Sequence, residues 1–204
     1  MSIPLSLEGK RGIVLGIANS HSIAYGIAEV LSQLGADLCV TYLNEKAKPY
    51  VAPLAEKLET TLFLPCDVSK AHELESVFEQ AKTQWGTIDF VIHSIAWSPL
   101  DELHGRLVDS SSDGFSLAMD ISCHSFIRTA RLAEAQMKDN GGTLITMTYY
   151  GSEKVVNNYG IMGPIKAALE SSVRYMAAEL GGEWNPSTLR LTWSNAYSCR
   201  FGYY

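Results

Sequence analysis

The chain has 204 residues, of which 47% are apolar and 19% are charged, a composition typical of a globular domain and not of a disordered or fibrous protein. Sixteen basic and 22 acidic residues give a formal net charge of −6 at pH 7, which argues against nucleic acid or an anionic membrane surface as a partner. The sequence starts without the basic and apolar stretches of a secretory signal, and no apolar run is long enough to span a membrane, so we expect neither.

Short apolar runs alternate with helical periodicities along the chain. In chain order, the sequence predicts strands over residues 12–15, 37–42, 61–64, 88–92 and 143–148. It predicts helices over residues 23–34, 46–58, 113–138 and 160–180, and a further helix, capped by Ser69 and ended by Gly86, between the third and fourth strands. Strands that alternate with helices indicate βαβ units and a doubly wound parallel α/β sheet. Because ligands bind such sheets beyond the carboxyl ends of the strands, the residues that follow each strand are the first candidates for a site.

The four cysteines are scattered, and none forms a Cys-x-x-Cys pair with another: Cys39, Cys66, Cys123 and Cys199. A zinc site or a disulfide framework needs closer or patterned spacing, so no metal site is expected. We expect reduced cysteines that pack as small apolar residues, and by default a cytoplasmic protein.

Gly16 follows the first predicted strand, and a helix is predicted to begin near Ser22. A glycine permits a tight turn and a close backbone approach, and a helix N-terminus offers free N–H groups and the positive end of its dipole. Both features suit a pyrophosphate group. Two glycines of the usual Gly-x-Gly-x-x-Gly pattern are missing, so a plain strand-to-helix turn is an equal alternative.

The ends of the next strands supply further candidates for a nucleotide site. No arginine follows the second strand, which favours NAD over NADP, although Lys46 and Lys48 leave NADP open. Asp67 follows the third strand and could accept a hydrogen bond from an adenine amino group, beside the N–H of Val68, or could simply cap a turn. After the fourth strand, small residues would let a ribose or nicotinamide lie against the backbone, while His93 is more often a core histidine than a catalyst.

Tyr149, Tyr159 and Lys166 form the most informative group. Tyr149 ends the fifth predicted strand, and Tyr159 and Lys166 are seven residues apart, about two helical turns, so a helix would place both on one face. A cation near a phenol lowers the pKa of the phenol and stabilises developing negative charge. Two interfacial tyrosines and a surface lysine are the alternative, but the position after the fifth strand of a dinucleotide-type sheet favours a functional role.

At these residues the chain resembles the short-chain dehydrogenase/reductase superfamily, and within it the bacterial NADH-dependent enoyl-acyl carrier protein reductases. Most members of the superfamily place lysine four residues after tyrosine, whereas here that position, 163, is glycine and the lysine is at position 166. The stretches that carry the resemblance are residues 16–28, 66–68, 93–97, 120–122 and 148–170.

The resemblance implies a Rossmann-like fold and hydride transfer from NADH to the β-carbon of a trans-2-enoyl thioester in fatty acid biosynthesis, with the substrate on acyl carrier protein and a homotetrameric assembly. Tyr159 would hydrogen-bond the thioester oxygen, Lys166 would hold the nicotinamide ribose, and Tyr149 would line the acyl site and assist. Ser98 would line the substrate site. The resemblance also implies the residues that contact the cofactor. The pyrophosphate would lie along Gly16, Ser22 and Ile23, the adenosine ribose near Leu43, and the adenine at Asp67 and Val68. Ser94 and Ile95 would also contact the cofactor.

The C-terminal part departs from the family pattern. In residues 183–204 six of the 22 residues are aromatic, against fourteen of the preceding 182, and we see no convincing strand or helix period. The turn, helices and final strand that the family has after its sixth strand are not recognisable. We therefore predict a dinucleotide-binding domain over residues 1–182 and an atypical tail over 183–204. An interrupted coding end would explain the change in composition, and resequencing would test it.

Pro164 is a second departure, since proline provides no N–H group and disturbs the interior of a helix. Two alternative functions stay open: a nucleotide-binding remnant or regulatory protein without turnover, which the tail favours, and a carbonyl reductase of the wider superfamily. The spacing of Tyr159 and Lys166 argues against the second of these.

Overall fold

The structure is a computed structural model that describes residues 5–182 and 189–195, with side chains up to residue 181. One parallel sheet forms its centre, with strand order β3-β2-β1-β4-β5-β6. The strands are β1 (Arg11–Leu15), β2 (Asp37–Tyr42), β3 (Leu62–Pro65), β4 (Phe90–His93), β5 (Gly142–Thr148) and β6 (Leu189–Asn195). The order reverses at β1, which pairs with β2 on one side and with β4 on the other.

Seven α-helices connect or follow these strands in the described part of the chain. They are α1 (Ile23–Gln33), α2 (Lys48–Lys57), α3 (Glu73–Trp85), α4 (Leu100–His104), α5 (Ser112–Met119), α6 (Ser125–Met137) and α7 (Met162–Gly182). A single π-helical turn, Asp120–His124, joins α5 to α6. Short 3₁₀ turns occupy Leu107–Asp109 and Tyr150–Ser152.

Alternating side chains of the strands divide the core into two layers, one on each face of the sheet. Ile13 and Leu15 of β1 belong to one apolar cluster, which also contains residues of α3, α6 and α7. Val14, between them, belongs to the other cluster, which contains residues of α1 and α2. The sheet is therefore covered on both faces, as the continuous apolar strands predict.

The predicted α/β architecture is confirmed, and the five predicted strands lie within two residues of their observed bounds. The prediction that Ser69 caps the third helix is wrong. The Ser69 hydroxyl donates a hydrogen bond to Asp67 at 2.6 Å, and the helix begins only after His72, whose φ of 68° lies in the left-handed region. The predicted helix over 113–138 is confirmed in its extent, since residues 112–137 are helical without a gap, but it contains a π-helical turn that the sequence does not predict.

The sixth strand overturns the expectation that residues 183–204 contain no strand. The backbone of Leu189–Asn195 pairs in parallel with the whole of β5, from Gly142↔Leu189 to Thr148↔Asn195. The aromatic residues of the tail other than Trp193, and Cys199, lie outside the described residues.

Three cysteines behave as the sequence predicts. Cys39, Cys66 and Cys123 are buried and unpaired, and burial raises the pKa of the Cys39 and Cys66 thiols to about 12. These thiols are protonated at neutral pH and pack as small apolar groups. Among the described helices, none combines the length and the hydropathy that a bilayer crossing requires.

Candidate active site

A cavity of about 750 Å³ lies beyond the carboxyl ends of the strands, at the point where the strand order reverses. Its size is in the range of small-molecule and cofactor sites. Seven of the residues that the sequence analysis selects line it: Gly16, Leu43, Asp67, Val68, Ser94, Ile95 and Ser98. Residues that follow different strands, and that are up to 82 positions apart in the sequence, thus come together at this cavity, as expected for a parallel sheet.

Gly16 is required by the backbone that lies against it. Its φ is 101°, and a Cβ atom at this position would lie only 2.1 Å from the carbonyl oxygen of Ser94. The N–H of Ser94 in turn donates to the carbonyl of Leu15 at 3.0 Å. A side chain at position 16 would therefore separate the turn after β1 from the segment after β4, at one wall of the cavity.

Ser22 shapes the turn that precedes α1. Its Oγ accepts hydrogen bonds from the N–H groups of Ala18 and Asn19, each at 3.0 Å, and makes no capping bond to the helix itself. The N–H groups of the first two helical residues, Ile23 and Ala24, have no backbone partner and remain available to a ligand. Neither Ser22 nor Ile23 is among the residues that line the cavity, so their contact with a pyrophosphate stays a prediction.

The turn after β3 is held by charged side chains on two sides. The Asp67 carboxylate accepts hydrogen bonds from the N–H and the hydroxyl of Ser69, as expected of a turn aspartate. The N–H of Asp67 donates to Glu73 at 2.7 Å, and the carbonyl of Val68 accepts from Arg128 of α6 at 2.8 Å. Asp67 also lines the cavity, so the turn role and a role toward adenine are compatible.

The segment after β4 is fixed to the π-turn. The buried hydroxyl of Ser122 accepts from the N–H of Trp97 and donates to the carbonyl of the same residue, both at 2.8 Å. Ser98 is buried, and its hydroxyl donates to the carbonyl of Pro99 at 3.0 Å. The π-turn therefore positions the backbone that carries Trp97 and Ser98 into the cavity wall.

Tyr149 and Tyr159 contact each other at the end of β5. Their ring centroids are 4.9 Å apart in an edge-on arrangement. Gly151 leaves room for the ring of Tyr159, because a Cβ atom there would lie 2.5 Å from its Cδ1. At Gly160, with φ +33°, a Cβ atom would lie 2.2 Å from the carbonyl oxygen of Glu102. Gly151 therefore lets the 3₁₀ turn pack on the ring of Tyr159, and Gly160 lets the segment before α7 approach the backbone of α4.

Tyr159 and Lys166 do not lie on one helix, which contradicts the prediction that a helix places both on one face. Helix α7 begins at Met162, so residues 159–161 are not helical and the seven-residue phase does not apply. The same boundary explains why Pro164 is tolerated. It is the third residue of the helix, where the N–H group would have no partner within the helix.

Lys166 is only 5% exposed, which rules out a surface lysine. Its ammonium group donates to the carbonyl of Met147 on β5 at 2.7 Å. Burial, together with the positive charge of Lys166, lowers the pKa of the His93 imidazole to about 3. His93 is fully buried, and its ring contacts the hydroxyls of Ser125 at 2.8 Å and Thr146 at 3.3 Å. His93 is therefore a neutral core residue, as the sequence analysis favours.

The sequence analysis does not single out several other residues that line the cavity. Most of them lie at a strand end, in the loop after it or in the next helix, so the strand-end rule could have found them if applied to the whole segment after each strand. They include Thr41, Asn44, Tyr50, Trp97, Leu117 and Ile121.

Comparison with known families covers the part of the chain that contains this site. The family model described as enoyl-(acyl carrier protein) reductase matches residues 16–184, which contain the turn at Gly16, the cavity and the Tyr149, Tyr159 and Lys166 group. The chain belongs to the enoyl-(acyl carrier protein) reductase family. This membership confirms the resemblance that the motifs of the sequence carry.

Relatives of the enoyl-(acyl carrier protein) reductase family match most of this chain. Enoyl-[acyl-carrier-protein] reductase [NADH] 1 of Rhizobium meliloti (strain 1021) is 47% identical over 175 residues, which are 86% of this chain and 64% of that protein. A crystal structure of the reductase from Anaplasma phagocytophilum in complex with NAD has a TM-score of 0.89 at 44% identity, and covers 98% of this chain and 74% of its own. The Bacillus cereus enoyl-acyl carrier protein reductase, in complex with NADP+ and indole naphthyridinone, has a TM-score of 0.86 at 45% identity, and covers 92% and 72%. This chain thus spans less than two thirds of the Rhizobium relative's length.

Proposed function

We propose that the chain is an NADH-dependent reductase of trans-2-enoyl thioesters carried on acyl carrier protein, acting in fatty acid biosynthesis. The observation that carries this proposal is the group of Tyr149, Tyr159 and Lys166 at the end of β5. The two tyrosine rings are in contact, and the buried lysine of α7 donates to the carbonyl of Met147, two residues before Tyr149. Met162, the first residue of α7, lines the cavity, whereas Tyr149, Tyr159 and Lys166 are not among its lining residues, so their contact with a cofactor stays a prediction.

The residues around the cavity fit a dinucleotide. Three features each match a part of such a ligand. They are Gly16, which has no side chain at the point where the strand order reverses, the N–H groups of Ile23 and Ala24 at the start of α1, and the aspartate after β3. A dinucleotide would lie from Leu43 and Asp67 at the adenosine end, past Gly16, Ser22 and Ile23, to Ser94 and Ile95 at the nicotinamide end. Val68 would contribute to the adenine site.

The chain's own groups supply the polar part of the reaction. NADH, when bound, would supply the hydride that reduces the β-carbon. The hydroxyl of Tyr159 would donate a hydrogen bond to the thioester oxygen, on which negative charge gathers. The Lys166 ammonium, held by the Met147 carbonyl, would stabilise the same charge and hold the nicotinamide ribose. Tyr149 and Ser98 would line the acyl site.

We propose NADH rather than NADPH as the cofactor. No arginine follows β2, and the relatives from Rhizobium and Anaplasma carry NADH in the name or NAD in the crystal. The Bacillus relative was crystallised with NADP+, and Lys46 lines the adenosine side of the cavity here. Initial rates with NADH and with NADPH at equal concentration test the preference, and faster turnover with NADPH would overturn it.

We further propose a homotetramer located in the cytoplasm. The tetramer is tested by light scattering on the protein after size-exclusion chromatography. A mass of one or two chains would contradict it. Fractionation of the source cells tests the location.

The decisive experiment follows the loss of NADH with a crotonyl thioester and, separately, with a panel of ketones. We expect oxidation of NADH with the thioester only. Turnover of ketones alone would identify a carbonyl reductase, and binding of NADH without turnover would identify a nucleotide-binding protein.

Substitution Tyr159→Phe tests the mechanism within the same assay. The variant keeps the ring that packs on Tyr149 and loses only the hydroxyl, so the fold should be retained while thioester turnover falls by about 100-fold or more. Near-wild-type turnover in this variant would exclude Tyr159 as the hydrogen-bond donor.

A further inference from the structure

Two side chains of α7 bond to consecutive residues at the end of β5. The Lys166 ammonium donates to the carbonyl of Met147 at 2.7 Å, and the hydroxyl of Thr148 donates to the Glu170 carboxylate at 2.5 Å. Lys166 and Glu170 are four positions apart on the helix, so their side chains lie on the same face, one turn from each other. Helix α7 therefore holds the end of the strand through one cationic and one anionic group.

Glu170 is an unusual residue for the place it occupies. It is 7% exposed, and its partner Thr148 is 3% exposed, so the carboxylate has lost most of its hydration. Burial of a charge is costly unless hydrogen bonds and opposite charges compensate for it. Here a short, charge-assisted bond from Thr148 provides part of that compensation. An apolar residue would pack here at less cost, which points to a role other than stability.

Thr148 is the last residue before the turn at Tyr150–Ser152 that the sheet holds by backbone pairing. It is the final residue of β5 and pairs with β6, while Tyr149 has left the strand and leads into the 3₁₀ turn Tyr150–Ser152. The direction in which Tyr149 leaves the sheet therefore depends on how Thr148 is held. Tyr149 in turn packs against Tyr159 with its ring centroid 4.9 Å away.

We infer that Glu170 is a positioning residue for the reductase reaction: through the hydroxyl of Thr148 it fixes the end of β5, and so the orientation of Tyr149 beside Tyr159. This inference rests on the proposed function. Glu170 acts through Thr148 and has no contact with the reacting atoms. Lys166 fixes the same strand end from the preceding turn of α7 while serving the reaction directly.

The first test removes each partner of the bond. Thr148→Val keeps the shape of the side chain without the hydroxyl, and Glu170→Gln keeps an acceptor oxygen without the charge. We expect each to lower kcat/KM for a crotonyl thioester by about tenfold or more, because small misplacements of reacting groups have effects of this size. The dissociation constant of NADH should stay within about twofold, because neither Thr148 nor Glu170 is proposed to contact the cofactor. Thr148→Ser, which keeps the hydroxyl, should restore most of the loss.

Glu179→Gln is the matched control, because Glu179 is an exposed glutamate on the same helix. It should leave the kinetics and the near-ultraviolet circular dichroism unchanged. Thr148→Val and Glu170→Gln should alter the tyrosine bands of that spectrum, since the Tyr149 ring changes its packing. Rates are expressed per NADH-binding site, so that a partly unfolded preparation does not imitate a loss of activity.

Double variants separate positioning from stability. Replacing both partners by apolar groups, as in Thr148→Val with Glu170→Leu, leaves no unpaired buried charge and should return the melting temperature close to that of the wild type. We expect kcat/KM to stay low in this protein. A recovery of kcat/KM together with stability would overturn the inference, as would single variants that match the wild type.

A last double variant asks whether the effect passes through Tyr149. In the Tyr149→Phe background, Glu170→Gln should lower kcat/KM by less than about twofold further, because coupled residues are not additive. A full tenfold loss in that background would contradict the route through Tyr149. Failure of the wild-type chain to reduce any enoyl thioester is a separate result, which overturns the proposed function itself.

Discussion

Lys166 shows how one buried residue can serve both the fold and the reaction. Its bond to the Met147 carbonyl holds the amine in the layer between α7 and the sheet. Burial chiefly lowers the pKa of His93 on the neighbouring strand, and the charge of Lys166 lowers it further. A lysine rarely occupies such a position without a partner. The sequence analysis selects Lys166 from its spacing to Tyr159, but the helical reason is wrong, because the turn before α7 and not a helix holds Tyr159.

Lys166→Ala should weaken NADH binding by about tenfold or more and lower turnover as well, because a charged hydrogen-bond donor is lost from the site. Fluorescence titration with NADH and steady-state kinetics measure the two effects. Arg174→Ala, which removes an exposed cation from the same helix, is the control. An unchanged affinity for NADH in Lys166→Ala would refute the assigned contact with the ribose.

At the scale of the elements, strands are predictable here because each is a short, continuous apolar run that the core buries on both faces. The residues that follow them could be selected for the same reason. The π-turn Asp120–His124 could not be predicted, because one extra residue in a helical turn leaves the apolar periodicity on both sides nearly intact. The sequence does not predict strand β6, because the aromatic composition of residues 183–204 obscures the alternation of Leu189, Leu191 and Trp193.

The π-turn connects both ends of the cavity. Ser122 holds the backbone of Trp97 near the proposed substrate site. Asp120 lies 3.3 Å from the guanidinium of Arg128, which donates to the carbonyl of Val68 at the proposed adenine site. In a regular α-helix, the side chains of Asp120 and Ser122 would point in other directions than they do in this π-turn.

Arg128→Met should therefore raise the KM for NADH several-fold while kcat stays nearly constant. The substitution removes the hydrogen bond that supports the turn after β3 and leaves the reacting groups in place. Arg131→Met removes an exposed arginine from the same helix and should leave KM unchanged. A fall in kcat at constant KM would show that Arg128 supports the reaction and not the nucleotide.

At the scale of the whole molecule, His93 joins three elements of the core. Its ring, on β4, contacts Thr146 of β5 and Ser125 of α6, and is fully buried. The pKa of the folded imidazole is lowered to about 3, chiefly by burial, and is thus well below the value near 6.5 of an unfolded chain. Protonation therefore favours the unfolded state. The contribution of His93 to stability is complete above about pH 6.5 and is lost as the pH falls toward 3.

The wild-type chain should accordingly lose about 2 kcal/mol of unfolding free energy through His93 alone between pH 7 and about pH 5. In His93→Gln that part of the pH dependence should be absent, although the variant is less stable at pH 7 because its fit to Ser125 and Thr146 is poorer. Urea denaturation at both pH values measures the difference, and His124→Gln, at an exposed histidine beside Asp120, serves as the control. Equal slopes of stability with pH in the wild type and in His93→Gln would mean that the imidazole is hydrated or charged in the folded protein. Water would then reach the contacts of His93 with Thr146 and Ser125, between β4, β5 and α6. The buried bonds of Lys166 and Glu170 to the end of β5 would then have to be tested for hydration as well.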